Sequence, residues 1–269
     1  MTHAPVCPSA VTAALRSAGV TRGTVALIHP DAIVAAQFAV PSNAASSVLS
    51  NERRLDLLIE AMQSAVGPDG TLLIPTFSYS FPKGEPFDVR NTPSAVGMVS
   101  ERLRKLPGVR RTLDPIFSFA CWGRLAEELC ALPVKECFGS DSVFAVLHRV
   151  NALLVDLGCS MSRGGTFVHY VETAHGVDYR YNKTFNGTII SADGNARPLS
   201  VIYNVRDLSR RSEADLARLQ NRLADEGKSK TVTVGRFRIM AVTAKDVFDT
   251  AWRMLDEDPI SLIAEGARQ

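Results

Sequence analysis

The chain has 269 residues, 46% apolar and 22% charged, and its 30 basic and 28 acidic residues leave a formal net charge of +2. That size suits one large α/β domain or two smaller ones around a sizeable core, and a charge so small and dispersed excludes a dedicated nucleic-acid binder. No apolar run reaches the roughly 18 to 20 residues of a membrane span. The start "MTHAPVCPSAV" lacks the basic and apolar segments of a secretory signal. Cys7, Cys121, Cys130, Cys137 and Cys159 contain no C-x-x-C pair and read as free thiols. Together these features predict a cytoplasmic protein.

In chain order, "SAVTAALRSAGV" predicts a helix capped by Ser9 and ended near Gly19, and "TVALIHP" a buried strand stopped by Pro30. "NERRLDLLIEAMQSAVG" predicts a helix from an Asn51 cap to Gly67, and "GTLLIPTFSYS" a second strand. A helix over "TPSAVGMVSERLRKLPG", a strand in the second part of "VRRTLDPIFSFACWG", a helix over "RLAEELCALP" and an apolar strand "NALLVDLGC" follow. This alternation predicts a layered α/β sandwich with a mainly parallel central sheet.

After about Thr184 the texture changes. "TFNGTIISADGNARPLSVIYNV" predicts a hairpin around "ADGN", and "SEADLARLQNRLADEG" an amphipathic helix. A second hairpin is expected around Gly235, and "AKDVFDTAWRMLDED" closes the chain as a helix. One domain over residues 1–269 is therefore expected, with a core α/β lobe (1–183) and an α+β lobe (184–269).

The densest chemistry lies in "GGTFVHYVETAHG", Gly164 to Gly176. Thr166 is a good N-cap type, and the glycines ahead of it let backbone amides approach a ligand. His169 and Glu172, three residues apart, share one helix face, where the carboxylate can orient the imidazole and stabilise its protonated form. The same pair also reads as a plain surface ion pair. A metal site from His169, Glu172 and His175 fits less well. Steps of three rotate side chains backward by about 60°, so the outer two diverge by about 120°, and the usual zinc spacing is H-E-x-x-H. A nucleophilic Cys159 is a further reading, although nothing nearby marks it as a thiolate.

Five segments occur in one order and cover roughly residues 20 to 190: "VALIHPDAI", "GTLLIPTFSYS", "FDVRNTPSAVGMVSERLRKLPGVRRTLDPIFSFACWG", "FGSDSVFAVL" and "LLVDLGCSMSRGGTFVHYVETAHGVDYRYNKTFNG". Together they resemble the aminoglycoside 3-N-acetyltransferase (antibiotic N-acetyltransferase) family. The resemblance implies an α/β sandwich with a cleft active site, and transfer of an acyl group from coenzyme A, as acetyl-CoA, to an amine on a sugar-like ring. The family's T-x-x-H-x-x-E falls on Thr166, His169 and Glu172, with the histidine as base and the glutamate as its partner. "VRRTLDPIFSF" resembles the family stretch R-S-x-H-P-x-x-S, which implies cofactor contacts from Arg111, Thr112 and Ser118. Asp31 and the amides beside it resemble a stretch lining the cofactor channel. Thr76, Thr166 and Ser118 are candidates to hold the thioester oxyanion. No metal is implied.

Two departures stand out. Asp114 replaces the histidine of H-P, and the H-S-S run becomes His29-Pro30-Asp31. Both resemble relatives from bacterial surface-polysaccharide loci. "FSYSFPKGEPFDVRN" mixes Lys83, Glu85, Asp88 and Arg90, while Arg163, Arg180 and Lys183 add positive charge near the motif. That balance suits an anionic acceptor such as a nucleotide-linked amino sugar at least as well as a polycationic antibiotic. The expected activity is an acetyl-CoA-dependent N-acyltransferase acting on an aminoglycoside or amino sugar. A metal-dependent hydrolase using His169, Glu172 and His175, or a non-catalytic member of the fold, are the alternatives. Expected partners are the amine-bearing substrate and, compatibly with the chain, a second copy of itself, with no nucleic acid or membrane.

Overall fold

The computed structural model describes residues 6–38 and 49–264. Its first half runs α1 (Pro8–Ser17), β1 (Val25–Pro30), α2 (Ile33–Ala36), α3 (Asn51–Val66), β2 (Thr71–Pro75), β3 (Phe87–Asp88), α4 (Met98–Leu103), β4 (Arg110–Arg111) and β5 (Phe119–Gly123). Then come α5 (Ala126–Cys130), α6 (Val143–Arg149), β6 (Leu153–Leu157), α7 (Met161–Gly164) and α8 (Val168–His175). The remainder is β7 (Arg180–Ile190), β8 (Ala196–Arg206), α9 (Ala217–Asp225), β9 (Ser229–Val234), β10 (Phe237–Thr243) and α10 (Ala244–Glu257).

A seven-stranded sheet has the order β4-β5-β2-β1-β6-β10-β9. Its centre, β2-β1-β6, is parallel, and only β5 and β10 run against the other five strands. The central strands are continuous apolar runs because both of their faces are covered. Along β1, Ala26 and Ile28 face one core with Leu15, Leu58, Ile59 and Met62 of α1 and α3, while Leu27 faces the other. That second core packs Phe144, Val168, Val171, Val247 and Ala251 of α6, α8 and α10 under the sheet. The layered sandwich with a mainly parallel central sheet is thus present.

A second sheet, β3-β7-β8, is dominated by the long hairpin at "ADGN". The Gly235 hairpin, β9–β10, adds antiparallel to β6 of the main sheet. Both sheets therefore draw strands from either side of residue 184, and the expected lobe boundary there does not separate them.

Local differences have simple causes. α1 begins behind Cys7 rather than at Ser9, because Pro8 has no N–H to satisfy and suits the first helical position. The cap of α3 is Ser50, whose Oγ accepts from Arg53 N at 3.2 Å, one residue before the expected Asn51. The helix expected over "TPSAVGMVSERLRKLPG" shrinks to α4, since Gly97 sits at φ +125°, outside helical space. α6, capped by Ser142 Oγ, arises in "SVFAVLHR", which the sequence reading did not separate. Among the described residues, no helix is long and apolar enough to cross a membrane.

Gly123 closes β5 at φ +104°, and a Cβ there would overlap the Gly70 carbonyl oxygen. Gly123→Ala is expected to cost about 3 kcal/mol, from left-handed strain plus overlap. Thermal unfolding should show Tm falling by roughly 10 °C; an unchanged Tm would contradict this account of the β5 end.

Candidate active site

At the carboxyl ends of β2, β1 and β6 the structure opens a cleft of about 540 Å³, lined by residues at or just beyond the end of each strand: Pro75 and Phe77, Asp31 and Ala32, Cys159 and Arg163. Open α/β sheets place ligands at such strand ends. His169 and Thr166 also line it.

The motif folds differently from expectation around its start. Thr166 is not the helix cap; Phe167 takes that position without a side-chain cap bond, and the Thr166 carbonyl accepts from His169 N at 3.0 Å. Nor do the glycines offer free amides, because Gly164, Gly165 and Thr166 N–H bond the carbonyls of Ser160, Met161 and Gly164. Gly164 is needed for close packing instead: a Cβ would collide with the Asp156 carboxyl and approach His29.

In the first turn of α8, His169 Nδ1 lies 2.7 Å from Glu172 Oε2. Glu172 is 0% exposed, whereas 21% of the His169 side chain remains open. Gly176, at φ +80°, turns the chain back so that Tyr179 and Arg180 reach the same carboxylate. Tyr179 OH donates to Oε1 at 2.9 Å. Arg180 Nε stands 2.7 Å from Oε2 as an ion pair whose N–H is not aimed at the oxygen. Its Nη1 donates to Asn204 O, and Nη2 comes within 2.8 Å of His169 Nδ1.

Nδ1 cannot both donate to Glu172 and accept from Arg180. Two lone pairs do not face each other at 2.7 Å, so a proton sits between Nδ1 and Oε2, carried on the nitrogen. Nε2 is then the lone-pair nitrogen, and it has no protein hydrogen-bond partner among the described residues.

Burial, the largest effect, raises the Glu172 pKa, but His169, Arg180 and the Tyr179 hydroxyl together bring it below its ordinary value. For His169, burial and then the Arg180 charge depress the pKa, and Glu172 only partly offsets them. Glu172 thus favours the protonated ring, as expected, but burial and Arg180 outweigh it and hold the pKa below the ordinary histidine value.

His175 points elsewhere. Its Nε2 meets Asp256 at 3.0 Å on α10, with the Trp252 ring 4.9 Å away. The metal trio is therefore not assembled, and no group of three His, Cys, Asp or Glu among the described residues could hold an ion. Cys159 Sγ donates to His29 O at 3.2 Å, and burial pushes its pKa up to about 12, which leaves a thiol rather than a nucleophile.

Of the residues expected along the cofactor path, Asp31 and Thr166 line the cleft. Asp31 Oδ1 accepts from Ile33 N at 3.0 Å, and Oδ2 is 3.5 Å from Arg163. Thr76, Arg111, Thr112 and Ser118 do not line it. Arg111 is buried, with Nε on the hydroxyls of Ser118 (3.0 Å) and Thr76 (3.2 Å), Nη2 on Thr76 O (2.6 Å) and Nη1 on Thr92 O (2.5 Å). Its guanidinium packs 4.8 Å from the Phe87 ring centroid, and burial lowers its pKa to about 10. Thr112 Oγ1 accepts from Phe119 N at 2.8 Å. Asp114 accepts from Ile116 N and Phe117 N, both at 2.8 Å. These groups brace the β2–β5 edge behind the cleft.

A sequence profile described as Aminoglycoside 3-N-acetyltransferase matches residues 44–256. The chain belongs to this family. It is an N-acetyltransferase that takes acetyl-CoA as co-substrate. It is 30% identical over 206 residues to the aminoglycoside N(3)-acetyltransferase IV of a Salmonella species, covering 76% of this chain and 74% of that relative. A solved structure of an aminoglycoside acetyltransferase AAC(3)-IVa mutant in complex with apramycin superposes with a TM-score of 0.74 at 25% identity, covering 97% of this chain and 96% of the other. The AAC-IIIb binary complex with CoASH shares the fold at a TM-score of 0.76 and 18% identity, covering 94% and 97%.

Tyr179 and Arg180 were not singled out as site residues in the sequence; Arg180 registered only as nearby positive charge. Their signal was the Gly176 turn, which returns the chain to the helix it has just left.

Two measurements follow. Arg111→Met should lower stability by about 2 kcal/mol, by stranding the Thr92 carbonyl and leaving the Thr76 carbonyl only its bond from the Ser118 hydroxyl, and leave the KM for acetyl-CoA unchanged; a raised KM with intact stability would make Arg111 a cofactor contact. The acidic limb of kcat/KM should lie below pH 6.5 in the native enzyme, because only neutral His169 accepts a proton. Arg180→Met removes a charge opposing the imidazolium and should move that limb upward.

Proposed function

We propose that this enzyme transfers the acetyl group of acetyl-CoA to a ring amine of an aminoglycoside, with His169 as general base through Nε2. What carries this reading is the division of the imidazole: Nδ1 is engaged by the buried Glu172, while Nε2 has no partner among the described residues, on a side chain that is 21% exposed and lines the cleft.

An alkylamine near neutral pH is mostly an ammonium and has no lone pair for attack on a carbonyl. Nε2, on a ring whose pKa burial and Arg180 hold down, is free to take that proton. Glu172 accepts the Nδ1–H bond throughout and steadies the positive charge as it arrives. The ammonium proton passes through Nε2 to solvent, and the freed amine attacks the thioester carbon. Neutral Nε2 takes the second proton shed by that nitrogen as the C–N bond forms, and the imidazolium, made a stronger acid by Arg180, gives it to the sulfur as the C–S bond breaks. Coenzyme A supplies an activated thioester acyl group. The cleft volume suits its narrow thioester-bearing arm, and the Arg163 guanidinium, 75% exposed at the edge, suits a phosphate. Of the three hydroxyls expected at the acyl oxygen, we assign Thr166 alone, since Thr76 and Ser118 are turned into the Arg111 cluster. Dependence on acetyl-CoA is consistent with a cytoplasmic location.

Thiol released from acetyl-CoA in the presence of an aminoglycoside reads the reaction directly. His169→Ala should lower kcat/KM by about 10² to 10⁴, the usual worth of general-base catalysis. A fully active variant would remove His169 from that role.

A further inference from the structure

Tyr203 lines the cleft but belongs to neither the T-x-x-H-x-x-E motif nor the first contacts of Glu172. It sits on β8 opposite Lys183, with the backbone tied down on both sides of it: Ile202 N donates to Lys135 O at 2.8 Å, and the Asn204 carbonyl accepts from Arg180 Nη1 at 3.1 Å. The Tyr203 ring packs among Phe117, Phe138 and Phe185, with centroids 5.0, 5.9 and 6.4 Å away. Phe138 also meets the His169 imidazole edge-to-face, 5.7 Å between centroids. A single ring therefore touches both Tyr203 and the base.

The hydroxyl on this ring has an uneven set of partners. Arg180 stands beside it and acts on it both as a charge and as a hydrogen-bond donor. A guanidinium has no acceptor atom, so the hydroxyl receives that bond through a lone pair and its own proton points elsewhere. No protein acceptor for that proton is found among the described residues. Burial raises the Tyr203 pKa by more than Arg180 lowers it, so the group stays a protonated donor near neutral pH. A hydroxyl that accepts from a cation also donates more strongly, because successive hydrogen bonds polarise one another.

Acetyl transfer creates an acceptor of the matching kind. As the amine nitrogen bonds the thioester carbon, the carbonyl π pair moves onto oxygen, which is an anion until the C–S bond breaks. The resting thioester carbonyl is a weaker acceptor. A fixed donor backed by a cation thus favours the transition state over the ground state.

We infer that Tyr203 is a further catalytic residue, whose hydroxyl, held by Arg180, donates to the acyl oxygen together with Thr166. This rests on the acetyl transfer proposed above. Tyr203 keeps its proton throughout; the bond strengthens as the oxyanion forms and relaxes when the carbonyl returns. Arg180 then serves the site twice, depressing the imidazole pKa and polarising the tyrosine.

Single-turnover transfer from acetyl-CoA to apramycin, with steady-state KM values for both, tests the assignment. Tyr203→Phe keeps the ring in its wall and should leave Tm unchanged. It should slow transfer about 10²-fold, the usual worth of one oxyanion donor, with both KM values within about twofold and the acidic limb of kcat/KM in place. Replacement of Tyr203 by 3-fluorotyrosine, similar in shape but with a more acidic hydroxyl, should give transfer at least as fast as in the native enzyme. A native rate in Tyr203→Phe, or a slower one in the fluorinated protein, would overturn the inference. A raised KM for apramycin at an unchanged rate would give the hydroxyl to the acceptor, and a displaced acidic limb would make it act through His169. Either result overturns the inference and leaves acetyl transfer intact. No thiol release by the native enzyme with apramycin, gentamicin or sisomicin would sink the proposed function as well.

Discussion

The site depends on one buried carboxylate. Glu172 has no contact with water, and an isolated ion so placed would be protonated or would unfold its surroundings. It survives as an anion because Tyr179 occupies one oxygen while His169 and Arg180 crowd the other. Three segments thereby become fixed to one another: the first turn of α8, the return through Gly176, and the start of β7. The carboxylate, in turn, decides which imidazole nitrogen carries the proton.

Glu172 alone would make the imidazole too basic for its task. A histidine beside an unopposed carboxylate stays protonated into the neutral range and cannot take a proton from an ammonium. Burial and the Arg180 guanidinium work in the other direction, and they win. The outcome is an imidazole neutral at rest whose protonated form, facing a cation, gives the proton up readily. The same arginine, the first residue of β7, also donates to the Asn204 carbonyl on the neighbouring β8, which ties the ion pair to the second sheet.

Much of this was legible in the sequence. Apolar runs such as "VALIHP" and "TLLIP" announced strands buried on both faces, and the three-residue step from His169 to Glu172 announced a shared helix face. The structure was less legible where a partner comes from a distant segment. Arg111 resembles a cofactor contact along the chain, yet β5 pairing folds it against Thr76 and Ser118, where its charge is consumed. Thr166 has the chemistry of a cap, but the tight turn through Gly164 and Gly165 starts the helix a residue later and turns Thr166 toward the cleft. The boundary drawn near Thr184 followed a change in composition, whereas sheet membership follows hydrogen bonding, and β9–β10 found its place beside β6. For Tyr179 and Arg180 the sequence offers only the turn signal of Gly176; which side chains that left-handed reversal returns to Glu172 depends on the fold.

The protonation state of His169 is the centre of the account, and nitrogen NMR of the imidazole over a pH titration reads it most directly. The expected spectrum shows the proton on Nδ1 and a bare Nε2 at neutral pH, with a pKa below 6.5 that rises in Arg180→Met. A ring protonated on Nε2, or one still cationic at pH 7, would contradict the mechanism at its first step.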